Sequence, residues 1–298
     1  MTIHLKPRRR GSYWIFALRT LLLLSVILLP INFGFLMAQG IVNTSDLLRN
    51  VVGGSDYLVQ TDLFIYIRGS AVIPSFGIAL LVFMGMSLGH FVIFGPKDMS
   101  LQENDETISW WNLFERIVHW IIAVVFVILF ISGLLITFGR YIGGGSGTLF
   151  MRQIHDYAGF VFIPALVVTT LMWIREGLPK VYDLSWLTHA GGYLGYKGHL
   201  KSGKFNAGQK QWYWVMVIFG ALLAWSGLGM FFQWGMMSEL RLYVVIHFIS
   251  AVIINLWFMI HLYMTTYGTK GTLRGMINGH ISKKAAETFH SEAPELGS

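Results

Sequence analysis

Two histidines interrupt the apolar segment from Val244 to Met264, VVIHFISAVIINLWFMIHLYM. The segment is long enough to cross a bilayer as a helix, and an imidazole without a polar partner is costly there. Helical geometry places His247 and His261 about 21 Å apart along the axis and within about 40° of one another around it. Both side chains therefore face the same side of the helix, one near each membrane surface.

Two further histidines match this pair in depth. His119 lies in ERIVHWIIAVVF, at the same depth as His261, and His155 lies in MRQIHDYAGF, at the depth of His247. Neutral imidazole is a good iron ligand, and a metalloporphyrin takes one axial ligand on each face. The pattern predicts two haem groups, one near each surface, that carry electrons through the membrane. A single buried histidine also fits a hydrogen-bonded core residue or a proton relay, but pairing by depth favours ligation.

Small residues on the same helices support this interpretation. Gly133 lies on the face of His119 near the opposite surface, where it would leave room for a haem. Gly159 follows His155 by one turn, and Pro164 is expected to kink this helix. Gly227 and Gly229 interrupt the next apolar run. Each of these residues also fits ordinary helix packing. The remaining histidines are interpreted as structural (His90) or solvated (His4, His189, His199, His280 and His290).

The composition indicates whether these residues lie in water or in a membrane. The chain has 298 residues, of which 54% are hydrophobic and 12% are charged, and its mean hydropathy is +0.58. A soluble domain carries about 25% charged residues, so this balance indicates a membrane protein. The absence of cysteine excludes disulfides, thiolate catalysis and iron–sulfur clusters within this chain.

Six apolar runs are long enough to span a bilayer, and each is expected to be helical because a lone strand leaves its backbone groups unpaired in lipid. They cover residues 13–38, 70–94, 117–138, 155–174, 212–236 and 242–267. The first run follows MTIHLKPRRR and fits either a signal peptide cleaved after Ala38 or a retained helix, which its length and Pro30 favour.

Lysine and arginine are concentrated in alternate loops, which predicts cytoplasmic N- and C-termini if the first helix is retained. The same distribution explains the formal net charge of +7 without nucleic acid. No internal repeat is evident. The expected organisation is 1–38 signal peptide or transmembrane helix, 39–69 periplasmic segment, 70–94 transmembrane helix, 95–112 cytoplasmic linker, 113–270 four-helix dihaem domain and 271–298 cytoplasmic tail, polar and mobile. The fold class is an all-α integral membrane bundle of four helices preceded by two more.

Several motifs resemble the cytochrome b (gamma) subunit of membrane-bound formate dehydrogenases over about Phe114 to Lys284. They are ERIVHW, RQIHDYAGF, LPKVYDLSW, GKFNAGQK, IHFISA and MIHLYM. The resemblance implies that His155 and His247 bind a periplasmic-side haem b, and that His119 and His261 bind a cytoplasmic-side haem b. It further implies that Asn206, Gly208 and Gln209, with His261, contact a quinone. Lys204 and Lys210 are expected either to offset haem propionate or semiquinone charge or to serve only as topology signals.

The implied function is the electron-transfer and quinone-reducing subunit of a respiratory formate dehydrogenase in the bacterial inner membrane. A molybdenum or tungsten catalytic (alpha) subunit would oxidise formate, and an iron–sulfur (beta) subunit would pass electrons to this chain, which then reduces menaquinone or ubiquinone. The chain itself would carry no formate-oxidising site. The alternatives are the cytochrome b subunit of a hydrogenase or thiosulfate reductase, a histidine-relay proton transporter, and a structural anchor without haem.

Overall fold

The computed structural model describes residues 72–100, 105–139 and 144–296. The predicted first helix, 13–38, and the segment 39–69 lie outside the described residues. Within the described part, five helices are long and apolar enough to cross a membrane. The predicted class, an integral membrane protein built of α-helices, is confirmed.

The spanning helices agree with the remaining predicted runs and extend several of them. The elements are α1 Val72–Phe94, β1 Lys97–Asp98, β2 Thr107–Ser109, α2 Leu113–Thr137, α3 Ser146–Gly177, α4 Tyr182–Thr188, α5 Ala207–Phe231, α6 Met237–Tyr263 with a π-turn Met264–Gly268, β3 Thr269–Lys270, α7 Thr272–Asn278, β4 His280–Ser282 and α8 Lys283–Phe289. Pro164 lies inside α3, yet the non-helical dihedrals of α3 lie at Trp173 (φ −113°, ψ 17°). The kink expected at Pro164 is therefore found at Trp173 instead.

Polar caps explain why α2 and α5 begin before their apolar runs. The Asn112 side chain accepts a hydrogen bond from the Glu115 amide, and the Glu115 carboxylate accepts one from the Asn112 amide. Asn206 and Gln209 form the same reciprocal box at the start of α5. Such a box satisfies amides that the first helical turn leaves unpaired, so each helix can begin in a polar loop.

Two hairpins, α2–α3 and α5–α6, pack into one four-helix bundle. Its core is apolar and contains Ile122, Val125, Phe126, Ala158, Phe162, Leu166, Met216, Ile254 and Phe258. Large apolar side chains also cover the outside of the bundle, for example Ile117, Val124 and Leu171. A helix that is apolar on all faces is typical of a membrane span, where lipid replaces water around the outer surface.

The two hairpins share one pattern, which the sequence alone does not make evident. In α2, the serine of a serine–glycine pair, Ser132, follows the capping residue Asn112. In α5, Ser226 follows the capping residue Asn206 by the same number of residues. The core positions of α3 and α6 likewise follow His155 and His247 at equal intervals. These positions are Phe162 and Leu166 in α3, and Ile254 and Phe258 in α6. The bundle is thus an internal repeat of a hairpin unit.

Among the described residues, the long connections lie at one end of the bundle, and we call residues 95–100, 105–112, 178–206 and 269–296 the loop end. Strand β1 pairs in parallel with β3, and β2 pairs antiparallel with β4. The linker is therefore bound to the residues that follow α6. The prediction of a mobile polar tail is wrong for the described residues up to 296, since α7, β4 and α8 fold against the loop end through these strand pairs.

His290, expected to be solvated, is buried in this folded tail. Its Nδ1 donates to the Gly203 carbonyl at 2.8 Å, and its ring lies 5.2 Å from that of Trp110. Burial lowers the pKa of His290 below its ordinary value, and the Lys97 cation lowers it further, while the Gly203 carbonyl and Glu295 oppose this change. The tail therefore docks with a neutral imidazole.

Helix α1 joins the bundle at the same end. His90 is buried and hydrogen-bonds through Nδ1 to the Tyr263 hydroxyl at 2.6 Å and through Nε2 to the Tyr193 carbonyl at 3.1 Å. At the other end of α1, Phe76 packs edge-on against Phe248 of α6. His90 is thus a structural residue, as expected, and its partners are supplied by α6 and by the connection after α3.

Acidification should loosen the tail. The pKa of His290 is lower in the docked tail than in the undocked tail, so the undocked tail binds a proton more readily. Docking is therefore strongest above the ordinary pKa of about 6.5 and weakens as pH falls from there toward the folded pKa. We expect hydrogen-exchange protection of α8, corrected for the intrinsic rate, to fall on acidification. His290→Gln keeps a donor for Gly203 but does not titrate, so it should remove this dependence. The control is His189→Gln, whose imidazole hydrogen-bonds to Ser185 and Thr188 of its own segment; it should retain the dependence, and equal behaviour of the two variants would contradict the assignment.

Candidate functional site

His155 and His247 meet at the end of the bundle opposite to the loop end. Their ring centroids are 6.2 Å apart and their planes are inclined at 65°. Both side chains are partly buried. The structure therefore brings together the two residues that the sequence placed at the same depth, and it does so across the two hairpins.

Each of these imidazoles is held by a serine on the preceding helix of its own hairpin. Ser132 Oγ lies 2.8 Å from Nδ1 of His155, and Ser226 Oγ lies 3.0 Å from Nδ1 of His247. The glycine that follows each serine leaves room for the imidazole ring. A Cβ at Gly133 would lie 3.3 Å from Cε1 of His155, and one at Gly227 would lie 3.5 Å from Cε1 of His247.

The separation of the two rings fits a shared metal. Imidazole nitrogen binds first-row metals at about 2 Å, so two imidazoles on opposite sides of one metal have ring centres about 6 Å apart. The observed 6.2 Å agrees with this separation. With each Nδ1 engaged by a serine, Nε2 is the nitrogen of each ring that is left for a ligand bond.

The second pair, His119 and His261, lies near the loop end. The His261 ring stacks on Trp212 with centroids 5.1 Å apart and planes at 17°, and the His119 ring lies beside Trp120 and Trp173. In the described part of the chain, Nδ1 of His119 is buried without a hydrogen-bond partner. This pair is therefore surrounded by indole rings and lacks the hydroxyl support of the first.

A buried ionic cluster lies one helical turn from His119. The Glu115 carboxylate accepts hydrogen bonds from Nζ of Lys204 at 2.9 Å and from Nε1 of Trp173 at 3.2 Å. Lys204 also pairs with Glu295 at 3.1 Å and lies over the Trp111 ring. The cluster joins the start of α2, the end of α3 and the folded tail beside the second histidine pair.

The loop residues assigned to a quinone form the start of α5. In the capping box, Asn206 and Gln209 use their carboxamide oxygens, so their NH2 groups remain as donors. A Cβ at Gly208 would meet the Trp186 ring at 2.9 Å, and the absence of one lets α4 pack closely on this turn. Trp212, one turn after Gly208, stacks on His261. The three residues therefore lie at the turn that precedes the His261 contact.

The lysines expected to offset ligand charge are paired with protein carboxylates. Lys204 neutralises Glu115, and Nζ of Lys210 lies 2.8 and 3.1 Å from the two oxygens of Asp183. Both lysine side chains are almost fully buried. Loop folding thus places an acid beside each lysine, and their role toward a propionate or semiquinone stays a prediction.

The glycine predictions are refined in a similar way. Gly133 and Gly227 lie beside the imidazole rings of the outer pair, and a Cβ at Gly229 would lie 2.7 Å from the Tyr243 ring. Gly159, one turn after His155, faces open space that extends beyond 4 Å. Of the four, Gly159 is the one with no atom within 4 Å of an added Cβ, and the room for a haem beside Gly133 stays a prediction.

Residues 110–279 match the sequence profile described as prokaryotic cytochrome b561. The match spans the whole four-helix bundle with both histidine pairs. The chain belongs to the prokaryotic cytochrome b561 family. Its members are cytochromes b, and haem b is accordingly the cofactor that the family implies.

Relatives of this cytochrome b561 chain are subunits of formate dehydrogenases. It is 28% identical over 188 residues to the nitrate-inducible formate dehydrogenase cytochrome b556(Fdn) subunit of Escherichia coli K12, covering 59% of this chain and 85% of the relative. The cytochrome b556 subunit of Haemophilus influenzae formate dehydrogenase is 25% identical over 184 residues, covering 59% and 77%. The E. coli K12 cytochrome b556(fdo) subunit is 26% identical over 192 residues, covering 62% and 90%. The predicted resemblance to formate dehydrogenase cytochrome b subunits is confirmed.

The residues of this cytochrome fit the implied haem b. The ring separation of the first pair would suit one iron held by both imidazoles, and open space lies beside Gly159. Nε2 of each ring has no hydrogen-bond partner among the described residues, since the serine contacts are made through Nδ1. The second pair supplies two further imidazoles, and the adjacent indole rings offer apolar surfaces to a macrocycle. Both pairs therefore have the donor chemistry that haem iron requires.

Sequence reasoning missed the residues that support the histidines. Ser132 and Ser226 stand in the recurring tripeptide Ser-Gly-Leu, which was the available signal. Glu115 was detectable as the fourth residue of an Asn-x-x-Glu box. The stacking of Trp212 on His261 had no sequence signal, since it depends on how α5 and α6 face one another.

Breaking the buried cluster should destabilise the protein. Lys204→Met leaves Glu115 buried without its cation, and loss of one partner of a buried pair costs about 3–5 kcal/mol. We expect a clear fall in the midpoint of thermal unfolding in detergent. The matched control is Lys283→Met, which removes a more exposed pair with Glu106 worth about 0–1 kcal/mol. Equal effects of the two substitutions would show that the cluster does not stabilise the fold.

Proposed function

We propose that this chain is the dihaem cytochrome b subunit of a respiratory formate dehydrogenase and carries electrons across the inner membrane to a quinone. The observation that carries the proposal is the bis-imidazole spacing of His155 and His247, with Nε2 of each ring free for iron. The second pair, His119 and His261, stands about 21 Å away along α6. The relatives' membership in formate dehydrogenases supports the choice of donor.

The loop end would face the cytoplasm. Lysine and arginine residues between the spans concentrate at this end, which the positive-inside rule assigns to the cytoplasm. His155 and His247 would then hold the periplasmic-side haem, next to an iron–sulfur subunit that receives electrons from a catalytic subunit. His119 and His261 would hold the cytoplasmic-side haem. Both termini would lie in the cytoplasm if the first helix is retained.

When bound, the two haem b groups would supply one-electron transfer between the two membrane surfaces. The chain's own residues set the conditions for this transfer. Phe258 packs against Phe126 and Phe130 between the two pairs, and Trp212 contacts both Phe258 and His261. This aromatic core excludes water from the space between the pairs and so keeps the local dielectric low.

Quinone would bind at the start of α5. The NH2 groups of Asn206 and Gln209 can donate to a quinone carbonyl, since their oxygens are held in the capping box. Gly208 lets the Trp186 ring pack closely on the backbone beside these donors. His261, stacked on Trp212, lies close to the same turn. Menaquinone and ubiquinone both present the carbonyl that these donors would bind.

The alternatives are less well supported. A hydrogenase or thiosulfate reductase cytochrome b would use the same two pairs, so co-purified partner subunits decide between donors. A histidine-relay transporter has no requirement for two imidazoles at the spacing of a shared metal. In the described spans, the acids Glu115, Asp156, Glu176 and Glu239 lie toward helix ends rather than in a continuous path. A structural anchor would contain no haem.

Haem content tests the proposal directly. We expect the chain, purified with its complex in mild detergent, to show a b-type reduced-minus-oxidised spectrum and two haems per chain. His155→Ala and His119→Ala should each lower this value toward one, because each removes one axial ligand. His199→Ala, which alters an exposed histidine, should leave two. A folded chain without haem would contradict the proposal.

The quinone assignment is tested by a substitution at Asn206 that keeps its capping of α5 and removes its hydrogen-bond donor to quinone. Asn206→Asp keeps the oxygen that caps α5 but removes the NH2 donor, so we expect unchanged thermal stability and a slower reduction of quinone with a raised KM. Asn112→Asp makes the same change in the equivalent box of α2 and should leave quinone kinetics unaltered. If Asn206→Asp also leaves the kinetics unaltered, the donor is not Asn206.

A further inference from the structure

The two histidine pairs differ in what faces their Nδ1 atoms. In the outer pair, His155 and His247, each Nδ1 lies within hydrogen-bond distance of a serine hydroxyl from its own hairpin. In the inner pair, Nδ1 of His119 is buried, and the described residues provide it with no partner. The difference is built into the repeat, because the serine–glycine pair recurs only opposite the outer histidines.

The hydrogen bonds of the serines determine the direction of donation. Ser132 Oγ lies 2.6 Å from the Ile128 carbonyl, and Ser226 Oγ lies 2.6 Å from the Leu222 carbonyl. A carbonyl can only accept, so each hydroxyl proton points to the carbonyl one turn earlier. Each serine oxygen is then an acceptor toward the imidazole. The proton shared between serine and histidine therefore belongs to Nδ1.

Each Nδ1–H thus faces a serine oxygen whose own proton is directed to a backbone carbonyl. The lone pair is left on Nε2, the nitrogen available for iron.

Such a hydrogen bond changes the ligand as well as its orientation. Donation from Nδ1–H moves electron density into the ring and makes Nε2 a more basic ligand. A more basic axial ligand stabilises the oxidised form of iron more than the reduced form and so lowers the reduction potential. The outer pair has this support on both rings, while His119 has none from the described residues.

We propose that Ser132 and Ser226 are positioning residues that fix the Nδ1–H form of His155 and His247 and lower the midpoint potential of the outer haem below that of the inner haem. This inference rests on the proposed dihaem function. It makes transfer from the outer to the inner haem energetically downhill. Part of the driving force for inward electron movement would then come from two hydroxyl groups.

The test is a redox titration of the intact complex in detergent, with haem quantified in each sample. In the parent protein we expect two midpoint potentials. In Ser132→Ala with Ser226→Ala we expect two haems, a higher value for the lower potential and no change in the higher one. The low-spin ferric electron paramagnetic resonance signal of the same haem should shift with it. Ser132→Thr with Ser226→Thr retains the hydroxyls and should restore the original potential.

A matched control is present in α1. Ser87 donates to the Phe83 carbonyl in the same manner as Ser132 and Ser226, while the neighbouring His90 hydrogen-bonds to Tyr263 and Tyr193 instead. Ser87→Ala should leave both potentials unchanged, which separates a ligand effect from a general loss of helical serine.

The outcomes distinguish this inference from the function on which it rests. A parent protein without haem would overturn the proposed function itself. Two haems with unchanged potentials in the double alanine variant would overturn the role of the serines and leave the function intact. An alanine variant that loses one haem would support positioning if the threonine variant restores it, and would contradict it if threonine does not.

Discussion

The contact between a serine hydroxyl and an imidazole within each hairpin sets the arrangement of this bundle. Ser132 and His155 meet across α2 and α3, and Ser226 and His247 meet across α5 and α6. In lipid, an imidazole N–H without an acceptor is costly, so this hydrogen bond restricts the register of each helix pair. The glycine after each serine lies beside the ring, where an added Cβ would be 3.3 Å from His155 and 3.5 Å from His247. With both hairpins held in this way, the two rings come together at 6.2 Å.

At the loop end, the capping box that both hairpins share has a different role in each hairpin. Both hairpins begin with an asparagine capping box, closed by Glu115 in α2 and by Gln209 in α5. The charged member requires a buried cation, which Lys204 supplies, and so connects α2 to the loop and the tail. The neutral member needs no counter-charge and leaves amide donors at the helix start. The difference between Glu115 and Gln209 thus distinguishes the ionic cluster at the start of α2 from the candidate quinone-binding turn at the start of α5.

Helix α1 is an addition to the family bundle, since the family match begins at residue 110. It is attached at the loop end through His90, whose ring connects Tyr263 of α6 with the Tyr193 carbonyl. Beyond α1, the Lys97 ammonium lies over the Tyr193 ring, and burial lowers the pKa of Lys97 to about 8. The polar groups near the end of α1 are thereby satisfied by the core bundle.

The amino-acid sequence by itself determined the spanning helices of the described region and the pairing of four histidines by depth. Apolar run length and helical spacing are local properties, and lipid removes most alternatives to a helix. Tertiary structure alone decided the rest. The serine partners of the outer pair, the acids that pair with Lys204 and Lys210, the burial of His290 and the two short strand pairs all join residues that are distant in sequence. Such contacts depend on how helices face one another and how loops fold across their ends, which no local pattern records.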